Sequence, residues 1–411
     1  MIESLPKTAV PFFRPVLTDD EIREVVETLL SGWLTTGAKT RAFEAAFAQN
    51  VHATYAVALN SCTAALHLAV EALGLGPGQA VLVPTMTFAA TAEVVRYQGA
   101  VPVLVDCDPL TGNMRLEDAQ DKIVRLQEGR LVFNHSEALE VVGIMPVHVG
   151  GLMMNVAEVK SFAAIHKLWI VEDAAHSFPA AWRPDAETLW QRCGEGTADV
   201  TCFSFYANKT ITTGEGGMAI TNRQDLADRM RVMSLHGLSH DAWNRYATGG
   251  SWDYRIVAPG FKYNLTDIAA SIGMHQLARA EEMRLERERI AGKYMNALRD
   301  LAELELPPLD ENRIHSWHLF PIKLRLEELD IDRNTFIEQL KAAGVGCSVH
   351  WRPLHLHPYY QDKFGWLPDD FPVATSLWQR LVSLPIFPDM QEEETDHVIE
   401  TVKELCRRHR L

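Results

Sequence analysis

Thr201–Gly217 reads TCFSFYANKTITTGEGG, and the rest of the chain is arranged around it. Its opening alternates the β-formers Thr201, Phe203 and Phe205, as a short buried strand does. Lys209 follows among Ser204, Asn208 and three threonines, and Gly214, Gly216 and Gly217 then turn the backbone. Lysine is almost never fully buried without compensation. An amine at the end of an apolar strand is therefore either a loop charge, the commoner case, or an amine desolvated for chemistry. Desolvation lowers the ammonium pKa and frees the lone pair, which is what a Schiff-base lysine needs.

Working outward, strands and helices alternate. Tyr55–Leu59 runs into Asn60, Ser61, Cys62 and Thr63 and then an alanine-rich helix. This turn reads equally as an anion site at a helix N-terminus and as a simple N-cap. VLVP (81–84) leads to a helix from Phe88, VPVLVD (101–106) to a helix after Arg115, and VVGIMPVHV (141–149) to a helix over 156–166; LWIVED (168–173) and GMAITN (217–222) are further strands. This rhythm predicts an α/β fold, a mostly parallel sheet flanked by helices, with its ligand outside the carboxyl ends of the strands. Residues 18–31 place Ile22, Val25, Leu29 and Leu30 on one stripe of an amphipathic helix.

Two stretches, 121–140 and 181–198, interrupt the rhythm and read as surface insertions. A helical region over 265–301 leads out of the first domain. Strands at 318–324 and 345–351, a helix at 334–344 and two C-terminal helices then suggest a smaller α+β domain. The expected division is a large domain over 1–264, connecting helices over 265–301 and a small C-terminal domain over 302–411.

The chain has 411 residues, 47% hydrophobic and 23% charged, with a net charge of −15. That is ordinary globular composition, with room for two domains. It argues against a nucleic-acid surface or a polybasic membrane anchor. Six cysteines without a CxxC suggest neither a disulfide framework nor a zinc site, and they fit a reducing compartment. The N-terminus does not resemble a signal peptide, and no apolar run has the length of a membrane span. The expectation is a cytoplasmic protein.

Asp173 ends the most apolar strand. It reads either as a helix N-cap or as a carboxylate facing a protonated pyridine nitrogen, which keeps such a ring an electron sink. His176 could lie by that ring's phenolic oxygen or fill a polar gap. Phe88 could stack on a flat cofactor or belong to the core. His350, His355 and His357 stand in a proline-broken segment without carboxylate or cysteine partners, so no metal is expected. GEGG lacks the strand-to-helix setting of a dinucleotide fingerprint.

Five motifs in order, NSCTAAL, PTMTF, VEDAAHS, CFSFYANKTITTGEGG and GFKYNLTDI, resemble those of the DegT/DnrJ/StrS family of pyridoxal-phosphate-dependent nucleotide-sugar aminotransferases, which has the type I aminotransferase fold. The similarity runs from Pro15 to Val402 and is closest to the branch of UDP-4-amino-4-deoxy-L-arabinose, perosamine and pseudaminic-pathway enzymes. It implies that Lys209 holds pyridoxal 5′-phosphate covalently and later shuttles the proton. Asp173 would pair with the ring nitrogen, His176 would lie near the ring oxygen, and Phe88 would stack on the ring. Cys62, Thr63 and Ser204 would hold the phosphate, Cys62 through its backbone because the family commonly has a smaller residue there. Lys262 or Asn264 would complete the phosphate site of a second subunit, making a homodimer with shared active sites. Thr35, Thr36 and His350 would lie near the sugar nucleotide.

The implied reaction is ping-pong, from L-glutamate to a keto-sugar nucleotide, with a UDP-linked 4-keto sugar preferred, in surface polysaccharide or amino-sugar biosynthesis. A dehydratase branch of the family lacks the lysine, and Lys209 counts against it. A non-catalytic cofactor-binding regulator is the other rival. The nucleotide phosphates would meet a local basic cluster drawn from Arg96, Arg231 or Arg245.

Overall fold

A computed structural model describes residues 9–130, 139–238 and 255–411. After helices α1 (Asp19–Ser31) and α2 (Ala38–Asn50), the chain alternates β1 (Tyr55–Leu59), α3 (Cys62–Ala72), β2 (Gln79–Pro84), α4 (Ala90–Tyr97), β3 (Val101–Val105), α5 (Leu116–Gln127), β4 (Glu140–Ile144), α6 (Val156–His166) and β5 (Trp169–Asp173). Short strands β6 (Ala181–Trp182) and β7 (Gln191–Arg192) precede β8 (Val200–Ser204), β9 (Gly217–Thr221) and α7 (Gln224–Ser234).

The seven-stranded sheet has the order β1-β9-β8-β5-β4-β2-β3. Its β8-β5-β4-β2-β3 part is parallel, whereas β9 pairs antiparallel with both β8 and β1. Helices cover both faces, so its strands read as continuous apolar runs rather than alternations. β8 shows why. Phe203 packs against Phe47 of α2 at 5.1 Å, while Cys202 faces the opposite core with Ala219 and Val171.

The chain continues through α8 (Asp267–Ala278) and the long α9 (Ala280–Leu298) to β10 (Leu304–Glu305), β11 (Arg313–Ile314), β12 (Phe320–Leu324), α10 (Arg333–Ala342), α11 (Pro358–Phe364), α12 (Pro372–Arg380), β13 (Leu381–Leu384) and α13 (Glu392–His409). Strands β10, β12 and β13 form a second sheet. Its own core joins Ile290, Tyr294 and Leu298 of α9 to Phe320, Phe336 and Val402. Two segments cross the sequence division. Val10 pairs with the backbone of Gly344 and Gly346 and lies in this C-terminal core. Residues from Leu354 to Leu381 pack on the core of the large sheet instead.

Four local expectations are corrected. Residues 345–351 are no strand: their backbone meets Val10 at one end and Ser383 at Ser348, and the remainder is irregular as it carries His350 and Trp351 into the cleft. Three helices, not two, follow it. The stretch 181–198 is not a surface insertion throughout, since β6 and β7 join β11 in a three-stranded sheet that buries Trp182 and Cys193. Residues 121–127 continue α5 and bury Lys122 and Ile123, while 131–138 lie outside the described residues.

The stripe of α1 points outward. Ile22, Leu29 and Leu30 are 57%, 51% and 82% exposed, whereas Glu21 and Thr28 are buried. The Glu21 carboxylate accepts the Thr18 amide (2.8 Å), Gln276 Nε2 of α8 (2.8 Å) and the Arg279 guanidinium. Burial alone would raise its pKa, yet these donors hold it down to about 2. Three charge-assisted bonds fix the polar face inward and leave the apolar face exposed among the described residues.

Candidate active site

The loop after β8 explains its threonines. Thr212 Oγ1 donates to Phe205 O (3.0 Å), Thr213 N–H to the same carbonyl (3.0 Å), and Thr213 Oγ1 to Glu215 O (2.7 Å). These bonds close the loop over the strand end, with Gly214 at φ +79 making the turn. Lys209 is thereby held beside the carboxyl ends of β8 and β5. Its Nζ lies 3.5 Å from His318 Nε2. Burial lowers its pKa to about 8; the Arg287 guanidinium adds to this and the Asp173 carboxylate opposes it.

Asp173 is 5% exposed. Thr91 Oγ1 donates to one oxygen (2.8 Å) and the Ala175 amide to the other (3.2 Å). Burial raises its pKa despite those bonds and the nearby Lys209. His176 follows, its ring 5.0 Å from Trp351 and stacked on it at 19°, with Nδ1 accepting the Gly150 amide (3.3 Å). Burial, then Lys209 and His350, push it well below the ordinary histidine range, so the ring is neutral.

Opposite, Ser61 caps α3 by accepting the Ala64 amide, and the first intrahelical bond runs from Ala65 N–H to Ser61 O (3.1 Å). The amides of Cys62 and Thr63 precede it and point out of the helix end. Strand β9 comes so close that a side chain at Gly217 would overlap the Ser61 carbonyl carbon and the Cys62 nitrogen. The Cys62 thiol stays neutral, its pKa raised by burial and then by Asp173. Phe88 is 63% exposed at the cleft wall, two residues ahead of α4, and so is not a core residue.

Cys62, Thr63, Phe88, Asp173, His176, Ser204, Lys209 and His350 thus line one cleft of about 450 Å³, a usual size for a cofactor site. Thr35, Thr36, Lys262 and Asn264 do not line it. They form a second cluster in which Asn264 Nδ2 donates to Thr36 Oγ1 (2.7 Å) and Thr36 to Leu265 O, while Asp267 caps α2 through Gly37 N–H (2.7 Å).

The phosphate cluster expected from Arg96 or Arg231 is not in the cleft. Arg96 bonds Ala100 O and lies over Phe364, and Arg231 bonds Ala56 O. Arg245 lies outside the described residues. Among the described lining residues there is no arginine.

Sequence reading missed Trp351 and Tyr206 in the cleft wall, and Thr91 and His318 behind it. Thr91 stands one helical turn after Thr87, a spacing that could have signalled it; His318 carries no local signal. His350, His355 and His357 do not converge. His350 bonds Ser383, His355 bonds Thr85 and Thr375, and His357 bonds Arg352 O. Elsewhere, His148, Glu172 and Cys193 lie close together and buried. Met154 N–H donates to His148 Nδ1 (3.2 Å), which places the ring proton on Nε2, facing Glu172 at 3.5 Å. In that tautomer the His148 ring offers no free lone pair to a cation.

The spore coat polysaccharide biosynthesis protein SpsC of Bacillus subtilis is 40% identical over 97% of both chains. An uncharacterized protein of Methanocaldococcus jannaschii is 41% identical over 98% of both. Among solved structures, Spr1654 of Streptococcus pneumoniae, named as a sugar aminotransferase, superposes in its PLP form with a TM-score of 0.85 and 31% identity, covering 97% of this chain and 99% of that one. It has also been solved in apo and PMP forms. The profile of the DegT/DnrJ/EryC1/StrS aminotransferase family matches residues 15–403, and the chain belongs to that family.

Proposed function

We propose that the chain binds pyridoxal 5′-phosphate in this cleft and transfers an amino group from L-glutamate to a keto-sugar nucleotide, with a UDP-linked 4-keto sugar as the preferred acceptor, in cytoplasmic amino-sugar or surface polysaccharide biosynthesis. The observation that carries this reading is one cleft holding a lysine with its pKa lowered to about 8 and a buried carboxylate. When bound, the cofactor supplies an aldehyde for exchange between amines and a ring that absorbs the electron pair left on the substrate carbon.

The protein's own groups divide the remaining work. Asp173, oriented by Thr91, holds the charge of the ring nitrogen. Neutral His176, stacked on Trp351, would lie by the ring oxygen. The outward amides of Cys62 and Thr63, with Ser204, receive the phosphate at the positive end of α3. Phe88, exposed at the cleft wall, would stack on the ring. Lys209 is both covalent anchor and proton carrier, and its lowered pKa leaves a useful fraction neutral near pH 7.

The protein acts as a homodimer in this reading. The outward stripe of α1, together with exposed Leu17, Trp33 and Leu34, is an apolar surface that a second copy would cover. The Thr35, Thr36, Lys262 and Asn264 cluster would then serve the neighbouring cleft. The test is Lys209→Ala. The variant should lose both the visible cofactor band and transfer, and normal turnover would refute the assignment.

A further inference from the structure

We propose that His318 is a positioning residue for Lys209: its Nε2 receives the lysine amine whenever that amine is not covalently engaged. This rests on the reading of Lys209 as the cofactor-bearing lysine. The 3.5 Å contact between the two nitrogens joins parts of the chain 109 residues apart. His318 is 4% exposed, and its Nδ1 has no hydrogen-bond partner among the described residues, so the lysine amine is the one polar contact its ring makes there.

The ring is held in place from several sides. Arg287 of α9 donates to Trp317 O (3.3 Å) and to Ile386 O (2.7 Å), tying the preceding residue to the C-terminal core. Ser316 Oγ donates to His176 O (2.5 Å), and Leu319 N–H to Gly150 O (3.1 Å). Trp317 adopts φ +51, which a bulky residue takes only when its surroundings impose it. The His318 ring then packs on His176 at 4.1 Å between centroids.

The surroundings also set its protonation. Burial first, then His176, Lys209, Arg287 and His350, push its pKa well below the ordinary range, so the ring is neutral. A neutral imidazole has one acceptor nitrogen. With the acceptor at Nε2, the lysine N–H has a defined target, and its lone pair is directed away from His318. An amine released from the cofactor would otherwise sample many rotamers before moving a proton. His318 neither forms a bond to substrate nor exchanges a proton in this role.

The test uses the holoenzyme and its donor half-reaction, followed by the loss of the visible band in stopped flow with glutamate and with glutamate deuterated at the reacting carbon. In His318→Phe, which keeps a ring but no acceptor, the rate should fall by about ten- to a hundredfold. The primary isotope effect should rise, because proton transfer becomes more limiting. His318→Gln should recover part of the rate. A purely structural residue would change cofactor content or melting temperature without raising the isotope effect.

Nitrogen-15 spectra of histidine-labelled wild-type holoenzyme supply a readout that requires no variant. The His318 Nε2 resonance should shift when glutamate releases Lys209. An unchanged rate and isotope effect in His318→Phe, or an Nε2 resonance indifferent to release, overturns the role given to His318. Retention of the band and of transfer by Lys209→Ala would overturn the underlying reading instead, so the two failures are distinguishable.

Discussion

The lowered pKa of Lys209 makes a quantitative prediction for cofactor capture by the apoprotein. An ordinary lysine titrates near 10.5, whereas this one is brought to about 8 by burial, with help from Arg287 and against Asp173. At pH 7 the neutral fraction rises by about 300-fold over an ordinary lysine, because the ratio of neutral to charged amine grows tenfold each time the pKa falls by one. Only the neutral amine attacks an aldehyde. The rate of band formation on mixing apoprotein with pyridoxal phosphate should therefore climb about tenfold per pH unit up to pH 8 and then level off. A rate still rising log-linearly through pH 10 would refute the reasoning.

Two substitutions test its causes by sign. Arg287→Met removes a cation and should move the break to higher pH; Asp173→Asn removes an anion and should move it lower. Stability supplies an independent check. Between about 8 and 10.5 the folded apoprotein binds fewer protons than the unfolded chain, so its stability should rise with pH across that window. Below pH 8 the penalty is full. Lys209→Met should therefore stabilise the apoprotein at pH 7 by up to about 3 kcal/mol, less whatever solvent reaching the cleft returns.

Asp173→Asn should retain cofactor yet lose at least about a hundredfold in transfer, because the ring nitrogen loses its counter-charge; spectral titration beside steady-state rates would show this, and wild-type turnover would contradict it. Glu21, held down to about 2, contributes stability that is full above its ordinary 4.5 and is lost as pH falls from there toward 2. Glu21→Gln should cost about 2 kcal/mol in urea unfolding at pH 7, with the gap from wild type narrowing at pH 3; a gap that does not narrow would mean that the carboxylate is not the source. Leu30→Arg, at a position 82% exposed on α1, should leave circular dichroism unchanged but convert the proposed homodimer to monomer in sedimentation and abolish transfer. An unchanged sedimentation coefficient would place the second copy elsewhere.

The large sheet was legible because strands buried on both faces appear as short apolar runs between turn residues, and β1, β5, β8 and β9 all have that form. The outward face of α1 was not legible. Periodicity identifies an apolar stripe but not its direction, which here follows from Glu21 meeting Gln276 and Arg279 more than 250 residues away. Residues 345–351 misled for a related reason: Val345, Cys347 and Val349 alternate as a strand does, but a ladder needs a neighbour along its length, and only Val345 and Ser348 find one.

The cleft divides along the same line. Cys62 and Thr63 follow β1, Phe88 follows β2, Asp173 ends β5, and Ser204 and Lys209 lie at the end of β8 and just beyond it. A rule that ligands gather at the carboxyl ends of such strands brings these residues together without knowledge of any side-chain contact. The register of β5 against β8, which pairs Asp173 with Cys202, then sets the acid and the lysine in one place. His318 and Trp351 obey no such rule. They arrive from segments leading into or out of the second sheet, and their position depends on how that sheet's core seats against the first through Arg287, Ser316 and Gly150. Chemistry carried by strand ends can be read from topology. Contacts supplied by a second core depend on packing between distant segments, which no local pattern records.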